Sequence, residues 1–209
     1  MCYSAPASLG SFAISVLGFL FLYKRNKPSD RLFGMLILGI SIMQLGEYLI
    51  HIDIECKKGY NKAGSILGMF SHSLIQPLFA FLAVMLFSKN KLNKQVTLLW
   101  IILIIVSLTS NIMYWPKPEN LCSYKYECQD ESKGCQLYWP WFSSINVPLY
   151  ISTVFVLPII FSDIKNKPMW LTYIFMGPLL LMYLYPKTAS SIWCFLGPAL
   201  TVLIKILIQ

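Results

Sequence analysis

Seven apolar runs, at roughly 6–23, 32–52, 63–88, 96–115, 141–162, 169–186 and 190–208, decide what this chain can fold into. Each is long enough, or nearly so, to cross ~30 Å of hydrocarbon as a helix. A helix satisfies its own backbone hydrogen bonds, which lipid cannot do for it. Composition agrees: 56% of the 209 residues are hydrophobic and 12% are charged. A soluble domain is about a quarter charged. The connections are mostly short and leave no room for a separate soluble domain. The reading is therefore all-α: a polytopic membrane protein of seven transmembrane helices, one domain over 1–209, with an outer Cys-containing loop at 116–140. No internal repeat or low-complexity tract interrupts it.

Basic residues set the orientation, because they gather on the cytoplasmic side of short loops. With the N-terminus outside, Lys24, Arg25, Lys27, Arg31, Lys89, Lys91, Lys94, Lys165, Lys167 and Lys205 lie inside, ten of the 17. The outer side keeps seven lysines and six acids, among them Asp53, Glu55, Glu119 and Asp130. The C-terminus then lies inside. The net charge of +8 is mainly a topology signal. A nucleic-acid partner is not expected, because the lysines are divided between two faces of a membrane. The first run lacks a basic segment before it and is followed by Lys24 and Arg25, so it reads as a retained helix rather than a signal peptide.

The cysteines agree with this orientation. Cys2, Cys56, Cys122, Cys128, Cys135 and Cys194 all fall on or beside the outer face. An even number gathered on one side indicates a disulfide framework in an oxidising compartment. Cys122, Cys128 and Cys135 share the outer loop, so at least one reaches Cys2, Cys56 or Cys194; the connectivity stays open. Their spacing does not match the close pairs of zinc modules. The expected location is a cell-surface, secretory-pathway or viral membrane.

Polar residues inside the runs point to a site. Glu47 is the acidic residue set within a strongly apolar run, and His51 and His72 are the two histidines. Gln44, Glu47 and His51 are spaced three and four apart and form one helical stripe. His72 and Gln76 form another on the third helix. At 1.5 Å per residue, Glu47 and His72 come out ~8 and ~6 Å outside their helix midpoints, at similar depth. A carboxylate in lipid costs ~3 kcal/mol unless it is paired, so His72 is the first expected partner and His51 the second. Ser107, Ser110 and Asn111 on helix 4, and Ser143, Ser144 and Asn146 on helix 5, lie in the same outer half. The expected site is an outward-open polar pocket lined by Gln44, Glu47, His51, His72, Gln76, Asn111 and Asn146, above an apolar floor. Pro77, Pro148, Pro158, Pro178 and Pro198 sit inside predicted helices, where they free carbonyls and kink the helix. The Tyr114-Trp115 and Tyr138-Trp139-Trp141 clusters read as interfacial anchors.

Several seven-helix classes are excluded by their motifs. The third run ends Phe87-Ser88-Lys89, without the acidic-basic-aromatic triplet of G-protein-coupled receptors. Lys205 stands at the inner edge of the last run, not at its middle as a retinal Schiff base requires. Two histidines are too few for the zinc site of ceramidase-type hydrolases. The segments "MCYSAPAS", "GEYLIHIDIEC" and "SHSLIQPLF", through Cys2, Ser4, Cys56, His72, Gln76 and Pro77, resemble a small family of multi-pass membrane proteins of bacteria, protists and large DNA viruses. The resemblance covers mainly the first 80 residues. It implies the fold and a Cys2–Cys56 disulfide, and no activity.

The functional expectation is binding of a small solute, proton or cation, in a transporter, channel or sensor, with the lipid bilayer as the other partner. No cofactor is expected. The alternatives are a membrane-embedded metal-dependent hydrolase, with zinc on Glu47, His51 and His72, and a structural or virion-type protein that binds a partner through its outer loop.

Overall fold

A computed structural model describes residues 4–89, 91–114, 121–126, 136–142, 146–184, 201 and 203. Among the described residues six helices carry the fold: α1 (Ala5–Lys24), α2 (Pro28–His51), α3 (Tyr60–Phe87), α4 (Lys94–Tyr114), α5 (Asn146–Phe161) and α6 (Lys167–Leu184). They match the first six expected runs to within a few residues, except at the start of α5. Four of them, α1 to α4, are long and apolar enough to cross a membrane; α5 is apolar but shorter. The seventh run lies outside the described residues apart from Thr201 and Leu203, both helical. Pro198 lies outside them as well.

Local chemistry places the helix ends. The Ser4 hydroxyl accepts the Ala7 N–H at 3.4 Å and caps α1, with Pro6 in the first turn. The turns into α2 and α6 use one device. Asn26 and Asn166 both take φ 56, a left-handed conformation that asparagine tolerates, and Lys-Pro follows each to open the helix.

Helices in lipid gain little from hydrophobic sorting and associate through close packing of small residues. The buried face of α1 is Ser8, Ser11, Ser15, Gly18 and Leu22, at helical spacing. At the α2–α3 crossing the backbones touch: a Cβ on Gly46 would sit 2.9 Å from the Gly64 carbonyl oxygen, and one on Gly64 would run into that of Gly46. α2 is the central element and is buried on most sides. α1 and α4 instead expose Leu17, Phe21, Leu98, Ile102 and Ile105, as lipid-facing helices do.

Two turns depart from α geometry. Ser71–Ile75 in α3 and Ser152–Val156 in α5 are π-helical. The Gln76 N–H bonds the Ser71 carbonyl and the Leu157 N–H bonds that of Ser152, five residues back. Pro77 and Pro158 follow directly. A proline has no N–H and its ring collides with the carbonyl four residues earlier, so a wider turn ahead of it accommodates both faults. The sequence reading expected kinks at these prolines; what the structure adds is a π turn just ahead of each.

At the end of the bundle away from the Asn-Lys-Pro turns, Cys56 and Cys122 form a disulfide across 66 residues. This overturns the Cys2–Cys56 pairing implied by the family resemblance. Cys2, Cys128, Cys135 and Cys194 lie outside the described residues. Next to the bridge, Asn61 Nδ2 donates to the Ser123 carbonyl at 2.9 Å, and the Ser123 N–H donates to Asn61 Oδ1 at 2.9 Å. The Ser65 and Ser123 hydroxyls are 2.8 Å apart. β1 (Tyr124–Tyr126) then pairs antiparallel with β2 (Gln136–Tyr138), in register Tyr124↔Tyr138. The described residues are mostly helical, as expected, and this short antiparallel pair within the 116–140 loop is the one addition to the all-α reading among them. α5 begins later than the expected residue 141 because Trp139–Phe142 fold back over the bundle.

Candidate functional site

The polar residues singled out in the sequence are inside the protein. Gln44, Glu47, Asn111 and Asn146 are 0% exposed, and His72 and Gln76 are 1% exposed. His51 is half-buried. All but Gln76, which stands just past the middle of α3, belong to the disulfide half of the bundle.

Gln76 is a hub. Its Oε1 accepts the Tyr150 hydroxyl at 2.6 Å, and its Nε2 donates to Ser71 Oγ at 3.1 Å and lies 3.9 Å from Met43 Sδ. The wide turn makes this geometry, because a π turn closes on the fifth residue and brings the side chains of Ser71 and Gln76 together. His72, inside the same turn, stacks on Tyr150 with ring centroids 4.2 Å apart. It meets the edge of Phe142 at 5.1 Å and Trp141 at 5.9 Å. Asn146 stands one turn before Tyr150 on α5. Its Nδ2 donates to Asn111 Oδ1 on α4, and its Oδ1 accepts Ser110 Oγ at 2.6 Å. The structure thus joins His72 and Gln76 through Tyr150, and Asn111 to Asn146 one turn away on the same helix as Tyr150.

α2 reaches the cluster through Met43, and the fully buried Gln44 is the next residue along that helix. The Gln44 amide has no hydrogen-bond partner at either atom among the described residues. The same holds for His72 Nδ1, Ser107 Oγ and Asn111 Nδ2. Glu47 and His51 follow on the stripe of Gln44, and both have interaction partners. Three aromatic rings pack around the His72 imidazole. Glu47, His51 and His72 do not form a three-ligand group. No three His, Cys, Asp or Glu side chains among the described residues are placed to hold a metal ion.

The residues expected to line an outward-open pocket are buried, His51 less than the others. Trp139 and Trp141 are 2% and 3% exposed and pack on each other at 5.2 Å. Trp139 lies against Gly68, where a Cβ would strike its ring. These tryptophans were expected as interfacial anchors; they form the roof of the polar cluster instead. Ser143 and Ser144, Trp115 and the side chain of Tyr114 lie outside the described residues. Below the cluster the expected apolar floor is present as Leu32, Leu36, Ile37 and Ile40. Within it is a small apolar cavity of about 20 Å³, walled by Phe33, Phe155, Ile159, Trp170, Tyr173 and Thr201 among others.

Sequence reasoning missed Tyr150, Ser71 and the roof. Their signal was present as "SHSLIQP" and "YWPWF", but it has meaning only once the π turn and the back-folded segment are known. It also missed Asp53, which is 5% exposed in the α2–α3 turn. Asp53 accepts N–H groups of Lys57 at 2.9 Å, Lys58 at 3.0 Å and Asn61 at 3.2 Å. Burial by itself pushes this carboxyl up, but the N–H groups of Lys58, Asn61, Lys57 and Tyr60 together hold it below its ordinary 3.8. Asp30 is fully buried at the other end of α2 and pairs with Arg25 at 3.1 Å.

Comparison with protein-family models, with characterised proteins and with solved structures finds no match.

Proposed function

We propose that this chain is a seven-span membrane protein with its N-terminus and disulfide end outside, and that its enclosed polar cluster binds a small solute, proton or cation for transport or sensing. The Gln44 amide carries the reading. It is completely buried, with neither oxygen nor nitrogen bonded among the described residues. A buried polar group left unbonded costs ~1–3 kcal/mol, so each such group calls for an explanation, of which a bound ligand is one. π turns such as Ser71–Ile75 recur at functional sites for the same reason: they exchange regular packing for side-chain placement. In this reading Glu47, the buried carboxylate on the Gln44 stripe, makes the site responsive to protons.

Thermal unfolding in lipid nanodiscs tests this reading. Wild-type protein is heated with sodium, ammonium, acetate or acetamide, and from acidic to neutral pH. At least one condition should raise Tm, and the rise should vanish in Gln44→Met. That variant should itself be more stable than wild type by ~1–3 kcal/mol, because the unbonded amide is gone. An equal response in wild type and variant under every condition would sink the proposal.

A further inference from the structure

The two roof tryptophans have a property that interfacial anchors do not need. Neither indole Nε1–H has a hydrogen-bond partner among the described residues, although both rings are buried. Indole nitrogen only donates. Both rings are tied to the polar cluster: Trp141 lies 5.9 Å from His72, and Trp139 packs on Trp141 and on Gly68, one turn before His72. Gln44 Nε2 and Asn111 Nδ2 are donors in the same condition, while Gln44 Oε1 is an acceptor. His72 Nδ1 and Ser107 Oγ serve in either role. The carboxamides exchange donor and acceptor when turned over; the indoles cannot, so the donor surplus rests on them.

The surplus discriminates among ligands. A bare cation has no lone pairs to offer an N–H and is repelled by it. Water brings as many hydrogens as lone pairs. A solute with oxygen lone pairs answers the surplus and stacks well beneath aromatic rings. We infer that the cluster takes a small solute bearing oxygen acceptors, a carboxylate or an amide carbonyl, and that Trp139 and Trp141 are specificity-determining donors to it. This deepens the binding-site reading above and rests on it. The hairpin and the Cys56–Cys122 bridge, with Ser123 bonded to Asn61 and Ser65, are what hold the two indoles in position.

The test follows the indole N–H resonances of full-length protein, ¹⁵N-labelled at tryptophan, in nanodiscs. Trp139→Phe and Trp141→Phe assign the two signals and keep a ring while removing the donor. Titration with sodium acetate or acetamide should move both signals downfield, and sodium chloride at equal ionic strength should not. A response to acetate alone marks an anion, and to acetamide alone a neutral carbonyl; either supports the inference. Each Phe variant, with its disulfide intact as evidence of folding, should bind the responding solute about fivefold more weakly, the weight of one hydrogen bond. Signals unmoved by both solutes, or unchanged affinity in both Phe variants, overturn the inference. If a Gln44-dependent Tm response to another species persists in that case, the binding-site reading stands and only the ligand class and the tryptophan role fall. If every response is absent, both fall.

Discussion

At the scale of single residues, buried polar side chains fall into two groups. Asp53 is saturated: both carboxylate oxygens accept backbone N–H groups in the turn that begins α3. Gln44 is the reverse, buried without a bond at either atom among the described residues. The first arrangement stabilises a loop, and the second leaves bonding capacity for something else. Asp53 therefore gives a pH signature with a definite sign. Its folded carboxyl titrates below the ordinary 3.8. The stability it contributes is full above that value and is lost as pH falls through the folded value. Asp53→Asn keeps one acceptor oxygen and turns an NH₂ toward the other donors. The Tm of this variant should lie below wild type at neutral pH, and the gap should close under acid below 3.8. A gap that stays constant through that range would refute the assignment.

At the scale of elements, the bundle is organised by how closely α2 and α3 approach. Gly46 and Gly64 put carbonyl oxygens where a Cβ would sit, so neither backbone can withdraw without opening the seam. Gly64→Ala should destabilise by ~1–3 kcal/mol, the usual cost of overpacking. It should also disturb the site, because the Ser71–Ile75 turn continues directly from this crossing. Gly10, with nothing within 4 Å of its Cβ position, is the internal control, and Gly10→Ala should be neutral or slightly stabilising. Equal thermal stability of both variants would show that the seam is not tight. The two π turns belong to this scale too. Each precedes a proline by the same offset, and each faces the polar layer through His72 and Gln76, or through Tyr150 just before it.

At the scale of the whole molecule, the disulfide joins segments 66 residues apart and fastens the roof to the α2–α3 turn. Closing a loop of that length restricts the unfolded chain by about 4 kcal/mol. The proposed orientation puts this end outside. Membrane-impermeant thiol reagent on intact cells should then label Lys62→Cys, beside the disulfide, without permeabilisation. It should reach Lys91→Cys, in the α3–α4 connection, only afterwards. The opposite pattern would invert the topology.

Helix positions were legible in the sequence, because a membrane-length apolar run has one backbone solution. The burial of Gln44, Glu47, His72 and Gln76 was legible as well, since they stand inside such runs. Which of them meet was not. Depth along neighbouring helices suggested Glu47 opposite His72, but depth leaves rotation about the helix axis free. Only the packed structure shows that His72 rests on Tyr150 and that Gln76 bonds the same residue. Cysteine count and sidedness announced a disulfide, whereas the choice of Cys122 for Cys56 depended on Ser123 docking onto Asn61 and Ser65. Trp139 and Trp141 looked like anchors because composition cannot say whether a loop turns outward or folds back. One-dimensional hydropathy records what each segment must be buried in; the partners are decided by helix rotation and by chain far away in sequence, which exist only in the packed molecule.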